Sequence, residues 1–416
     1  MSQTTTRPQA SSAEAGGSLL RQPPAVWAVA FAAMVAFMGI GLVGPILPTI
    51  SDELNSSPTQ TSFLFTSYLA VTAVAMFFTS WLSSRIGTRT TMLLGLAVIV
   101  VAAVFCALST NIEGVIAFRA LWGLGNALFL STALASIISA SGGRPGHAVI
   151  LYEAALGLGL AIGPLAGGLL GEINWMAPFW GTASLMAVGF VAIIAVVRGS
   201  GRPVENSHVL APFKALSIRP ILIMSIVAFF YNSSFFVTLA YVPYPLGMSA
   251  VGIGVVMTGF GLGLALASVV IAPWFTRRFS ATYVLVASLV LFALTHIGAG
   301  VLTETNAGFI ICVVLLGFEI GAVNTVLTEV VMEASDLPRP VASSAYSGVR
   351  FIGGAIGAPV GTSLAAFGVG VPFFFAAATS LVGVLIIAIF HRSLNRADHP
   401  VDEDSVEEAA AITYGE

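Results

Sequence analysis

Four ionisable side chains stand inside long apolar stretches: Arg119, Glu153, Glu319 and Arg350. A charge near the centre of a membrane-spanning helix costs at least about 2.5 to 3.5 kcal/mol, so each marks a candidate functional position. The chemistry open to such a set is proton exchange. Burial disfavours a carboxylate and a nearby guanidinium favours it, so a glutamate beside a mobile arginine can hold a proton in one conformation and release it in another. Glu319 sits near the midpoint of its stretch, and Arg119 and Asn126, seven residues apart, share one helix face. By the internal repeat described below, Glu319 is expected to face Asn126 across a central cavity, and Glu153 and Arg350 fall within two positions of each other on spans five and eleven. Fixed pairs that lock helices together are the alternative reading of the same four residues. Asn126, Tyr231, Asn232, Phe236 and Asn324 are the candidates to line a small-molecule cavity, and His296 reads as structural. No nucleophile, base and third orienting group can be assembled, so an enzyme is not expected. Cys106 and Cys312 both lie in apolar runs, and neither a metal site nor a cofactor is expected.

The elements that must position these groups are membrane helices. With 57% hydrophobic and 8% charged residues, the chain lies far from the roughly 25% charged composition of soluble domains. Apolar stretches of about 20 residues, enough to cross a bilayer core, recur at roughly 25–50, 59–83, 89–110, 114–140, 147–170, 175–197, 220–246, 250–275, 281–302, 306–333, 341–367 and 370–391. The expected fold is all-α and polytopic, with twelve transmembrane helices in two pseudo-symmetric six-helix halves. Residues 1–24 form a polar tail, 25–197 the first half, 198–219 a linker, 220–391 the second half and 392–416 an acidic tail. Of 16 Lys and Arg, all but Arg119 and Arg350 fall in the tails and in alternate connections. The opposite loops carry Asp52, Glu53, Glu113, Glu172 and Glu304. Basic residues are retained on the cytoplasmic side, so both termini are expected there, in the inner membrane of the cell. The expected partners are a small-molecule substrate and the lipid bilayer, with no nucleic acid, and the chain is expected to be a monomer.

Three near-equal offsets indicate duplication. Trp81 to Arg85 resembles Trp274 to Arg278 at 193, Gly123 matches Gly317 at 194, and Gly163-Pro164 with Gly167 matches Gly357-Ala358-Pro359 with Gly361 near 195. The stretch from Gly157 to Gly168, GLGLAIGPLAGG, is punctuated beyond what a soluble helix tolerates, since each interior Gly costs roughly 1 kcal/mol and a Pro about 3. In a bilayer such glycines let helices approach closely. Gly157, Gly159, Gly163 and Gly167, beside the Pro164 bend and next to Gly168, are expected to bring span five against a helix of the other half.

Over essentially its whole length the chain resembles the twelve-span drug:proton antiporters of the major facilitator superfamily. Gly39-Ile40-Gly41 with Pro45-Ile46-Leu47-Pro48 is similar to the family's Gly...Pro-x-x-Pro. The loop from Ser80 to Arg89 resembles Gly-x-x-x-Asp-Arg-x-Gly-Arg-Lys, matching at Arg85, Gly87 and Arg89. Arg119 to Asn126 resembles Arg-x-x-x-Gly-x-Gly, and Gly163-Pro164 with Gly167-Gly168 resembles the motif associated with antiporters. Ser80 and Ser84 stand where the family has Gly and Asp, so the usual gate carboxylate is missing. Arg85 and Arg89 are then expected to donate to helix C-termini or to other acids. Arg277 and Arg278 are expected to form an ion-pair network with Glu329 and Glu333, since two glutamates four apart repel unless a cation intervenes. The resemblance implies proton-coupled efflux of small amphipathic molecules by alternating access, with import of a small nutrient as the alternative. Span one holds no acid between Trp27 and Ile50, which makes neutral or anionic substrates at least as plausible as cations.

Overall fold

The computed structural model describes residues 22–141, 145–197, 210–333, 337 and 339–394; within these, side chains at 80, 135, 138, 145–150, 153–154, 332–333, 339–340 and 391–394 are not described. The tails expected at 1–24 and 392–416 therefore lie almost wholly outside the described residues, as do 198–209 of the linker.

Twelve long helices, spans one to twelve in chain order, build the molecule: Pro24–Gly41, Pro58–Ile86, Thr88–Leu108, Ile112–Ala140, Pro145–Gly171, Ala177–Val196, Arg219–Tyr241, Ala250–Leu266, Ala281–Val301, Asn306–Glu333, Arg339–Leu364 and Val371–Leu394. Eleven are long and apolar enough to cross a membrane, and span five adds an apolar helical stretch at Ala155–Gly171. Span one continues through a tight turn at Gly44–Ile46 into a short helix, Leu47–Glu53. Local chemistry sets several starts. Ser57 and Gln60 form a reciprocal capping box before span two, and Ser249 and Ser280 accept from Gly252 N and Tyr283 N before spans eight and nine. Gly87 turns the chain between spans two and three at φ 85°, a conformation that strains any side chain. Arg85, Arg89, Lys214, Arg219, Arg277 and Arg278 lie at one end of the bundle, here the basic end; the other is the acidic end.

The packing repeats with a period of six helices. Spans one and five, two and four, three and four, and three and six pack together, as do seven and eleven, eight and ten, nine and ten, and nine and twelve. Two long seams join the halves, span two against eleven and span five against eight. Each seam receives a carbonyl released by a proline, which has no N–H to donate to the residue four before it. Pro359 frees Ala355 O, which accepts the Thr66 hydroxyl of span two at 2.8 Å. Pro164 frees Leu160 O, which lies against span eight so closely that a Cβ on Gly261 would come within 2.8 Å of it. At the acidic end, Thr362 donates to Ser62 at 3.1 Å, and the Thr61 and Tyr244 hydroxyls meet at 2.5 Å. At the basic end, Phe77 packs on Gly348, and Phe213 of the short helix Ala211–Ala215 stacks on Phe77 at 4.4 Å.

The glycines of span five are turned differently from the expectation. Gly159, Gly163 and Gly167 pack against the backbone of Met34, Met38 and Leu42, in span one and its extension within the same half. Gly157 and Gly168 do face span eight, at Ala265 and Ala250, and the rest of that seam's clearance comes from span eight itself through Gly254 and Gly261. The physical reason is periodicity. Residues four apart share one face, so 159, 163 and 167 can serve only one neighbour.

Candidate functional site

The second half brings four of the named residues together. Span seven is held to its neighbours by Tyr231, whose hydroxyl donates to Ile320 O of span ten at 3.2 Å, and by Asn232, whose Nδ2 donates to Arg350 O of span eleven at 2.8 Å. Arg350 Nη1 in turn donates to Asn324 Oδ1 of span ten at 2.6 Å. The described polar partner of the Arg350 side chain is thus neutral Asn324; the side chain of Glu153 lies outside the described residues. Tyr231, Asn232 and Phe236 are buried, and Asn324 and Arg350 remain partly accessible. Phe236 makes an edge contact with Phe65 of span two at 5.8 Å, joining the halves at this depth.

In the first half Arg119 is fully buried. Its Nε donates to Leu64 O at 3.4 Å and its Nη1 to Gly39 O at 3.3 Å, tying span four to spans two and one. The guanidinium lies 4.6 Å from the Tyr68 ring centroid and 4.8 Å from that of Trp122. Two carbonyl dipoles and two π faces therefore surround the charge. Asn126 is buried with its Oδ1 lacking a hydrogen-bond partner.

Glu319 lies midway along span ten, as expected, and turns toward span nine. Its Oε1 accepts the Thr295 hydroxyl at 2.6 Å, and its Oε2 is buried without a partner. The repeat does align Asn126 with residue 320, but a step of one residue rotates a side chain by about 100°. This rotation turns Glu319 to the neighbouring helix of its own half rather than across the molecule to Asn126. His296, one residue beyond Thr295, is buried between Phe292 O at 2.8 Å and the Thr238 hydroxyl at 2.9 Å. A carbonyl can only accept, so Nδ1 carries the hydrogen, and in the neutral ring Nε2 accepts from Thr238.

The basic end is stitched within each half. Arg89 Nη2 donates to Ile194 O at 3.1 Å, one of the last carbonyls of span six, as the missing gate carboxylate led one to expect. Arg85 is exposed with its guanidinium 5.9 Å from the Trp81 ring. Arg278 lies 3.9 Å over Trp274; among the described residues no carboxylate pairs with it or with Arg277. Glu329 is exposed, and the side chain of Glu333, the other acid of the expected ion-pair network, lies outside the described residues. A cavity of about 480 Å³ runs along spans two and four, lined by Val71, Val74, Phe78, Trp81, Leu124 and Leu128 among others. It is apolar, opens past the exposed Val74 and Phe78, and holds none of the charged groups.

Sequence reasoning missed Thr66, Thr295 and the Ser62–Thr362 tie. Pro359 announced a freed carbonyl at Ala355, but the helix that would supply a donor had no local signal. Thr295 had none either, being one hydroxyl in an apolar helix.

With this geometry in view, comparison with known proteins is direct. The Major Facilitator Superfamily model matches residues 29–244 and again 221–413, two matches that overlap at span seven. The chain is 44% identical over 377 residues to the multidrug efflux protein YfmO of Bacillus subtilis, covering 90% of this chain and 95% of that one. It is 27% identical over 373 residues to multidrug resistance protein 1 of the same organism, covering 85% of this chain and 92% of that one. Among solved structures, the D-xylose-proton symporter superposes with a TM-score of 0.73 at 12% identity, covering 88% of this chain and 96% of that one. The human organic anion transporter MFSD10 superposes with a TM-score of 0.68 at 15% identity, covering 88% and 99%. Two matches to the family model, the six-helix packing repeat and an efflux relative spanning nearly the whole chain lead to one assignment: this multi-pass membrane protein belongs to the Major Facilitator Superfamily.

Proposed function

We propose that the protein is a proton-coupled efflux transporter of small amphipathic molecules, working by alternating access of its two halves. The observation that carries this reading is the 44% identity, over 90% of the chain, to a protein named for multidrug efflux. Glu319 is the proton carrier. It is the midspan carboxyl with a described environment, and its unpartnered Oε2 leaves room for a proton while Thr295 fixes the other oxygen. Arg119 and Arg350 act through position rather than by ion-pairing with it, because their described partners are neutral.

The basic end faces the cytoplasm of a cell membrane, by the bias of Lys and Arg. In the conformation described, the hydroxyl ties of Ser62 with Thr362 and of Thr61 with Tyr244 hold the acidic, outward end together. Substrate taken up from inside is released outside when those ties part, and a proton taken up outside returns with the reverse motion. Import of a nutrient is the competing direction, and one experiment separates them. Inverted membrane vesicles carrying the protein should accumulate a neutral or anionic amphipathic dye when their interior is made acidic, and lose that accumulation when the gradient is collapsed. Accumulation in right-side-out vesicles driven by an inward proton gradient, with none in inverted ones, would establish import instead.

A further inference from the structure

Arg350 offers a charge that nothing described around it neutralises. Its Nη1 donates to the neutral Asn324, its Nε is buried with no hydrogen-bond partner, and the Tyr346 and Phe351 ring centroids lie 5.7 and 5.2 Å from the guanidinium carbon. The side chain is nevertheless partly accessible, as is Asn324. It stands where span eleven meets span ten, and its own carbonyl is bound by Asn232 of span seven, so three helices of the second half fix its position.

None of the charges inside the spans whose side chains are described offsets it. Arg119 is sealed under Tyr68 and Trp122 against two backbone carbonyls, out of reach of any ligand. Glu319 is turned to Thr295 on span nine. Span one, which packs against spans four, five and six, brings no acid between Trp27 and Ile50. A guanidinium whose Nε finds no acceptor in a low-dielectric site gains from an anion that can reach it, and its planar fork matches a carboxylate or sulfonate through two parallel hydrogen bonds. Aromatic surface is at hand for the rest of such a molecule. The Phe351 ring, 5.2 Å from the guanidinium carbon, is itself partly accessible.

We propose that Arg350, oriented by Asn324, is the anchor for the acidic group of small aromatic organic anions, which are the substrates of the efflux reading above. The inference rests on that reading for transport, while binding tests it alone. Asn324→Asp is the informative substitution. It keeps the size and the acceptor 2.6 Å from Nη1 but places a carboxylate there, satisfying the guanidinium internally.

The experiment measures equilibrium binding of two radiolabelled probes of matched shape, 2-naphthoate and 2-naphthylmethylammonium, to the purified full chain in lipid nanodiscs. Wild type should bind the naphthoate more tightly. Loss of a charge-assisted contact predicts a drop of roughly 10- to 100-fold in naphthoate affinity for both Asn324→Asp and Arg350→Gln. Arg350→Lys should retain part of it, and ammonium binding should stay level or rise. Tighter ammonium binding by wild type, or naphthoate affinity unmoved by Asn324→Asp in a monodisperse preparation, overturns the inference. Gradient-driven transport of an ammonium or neutral probe by the same protein would leave the efflux reading standing in that event. Failure of every probe to move with a gradient, despite naphthoate binding as expected, would sink the efflux reading and keep the binding site.

Discussion

At the scale of single residues, Arg119 is a buried charge held by neutral groups, with its Nη2 left without a hydrogen-bond partner. Its fork reaches Leu64 O and Gly39 O on two different helices while Tyr68 and Trp122 cover it. A lysine has one nitrogen and cannot span both carbonyls, so Arg119→Lys should destabilise the first half by roughly 2 kcal/mol. A lowered melting temperature in detergent, with the protein still inserted, is the expected result. An unchanged melting temperature would mean that the two carbonyls contribute nothing. The identity of such residues was legible in the sequence, because a charge in an apolar run announces itself. Their partners were not. Glu319 and Asn126 share a depth by the repeat, yet one step of residue number sets them on different faces. Likewise Asn324 became the partner of Arg350 through a contact between spans ten and eleven that no local pattern encodes.

At the scale of helices, the glycines divide the seams by function. Gly163 touches the backbone of Met38 and Gly41 in span one, where an added Cβ would lie 2.7 Å from Met38 O, so bulk there disrupts the interior of one half. Gly261 belongs to the seam between halves, where the added Cβ would lie 2.8 Å from Ala161 Cα. Packed interiors do not absorb such an insertion without movement. Gly163→Leu should therefore lower the yield of folded protein. Gly261→Leu should leave each half folded and inserted but abolish uphill transport, because the halves can no longer close along spans five and eight. Equal yields for the two variants, with transport intact in Gly261→Leu, would contradict this division of labour. The proline bends and the glycine spacing were readable from sequence as close packing. Which neighbour each face meets depends on the arrangement of six helices, and the four-residue period of 159, 163 and 167 fits any one of them.

At the scale of the whole molecule, the two-half architecture was legible almost completely. Composition required membrane helices, the alternation of Arg-bearing and acidic connections set a basic end apart from an acidic one, and the three offsets near 194 foretold the packing repeat that recurs between spans one to six and seven to twelve. These signals are global, summed over many residues, and so survive local ambiguity; the coupling proposed for Glu319 rests on one carboxyl and does not. The account makes Glu319 the group that ties proton movement to substrate movement, and purified protein in proteoliposomes tests this directly. Substrate flowing down its gradient should drive protons the opposite way in wild type, read by an internal pH dye. In Glu319→Gln the same substrate should still exchange across the membrane with no proton movement. Substrate-driven proton flux that persists in Glu319→Gln at the wild-type rate would contradict the account and remove Glu319 from the mechanism.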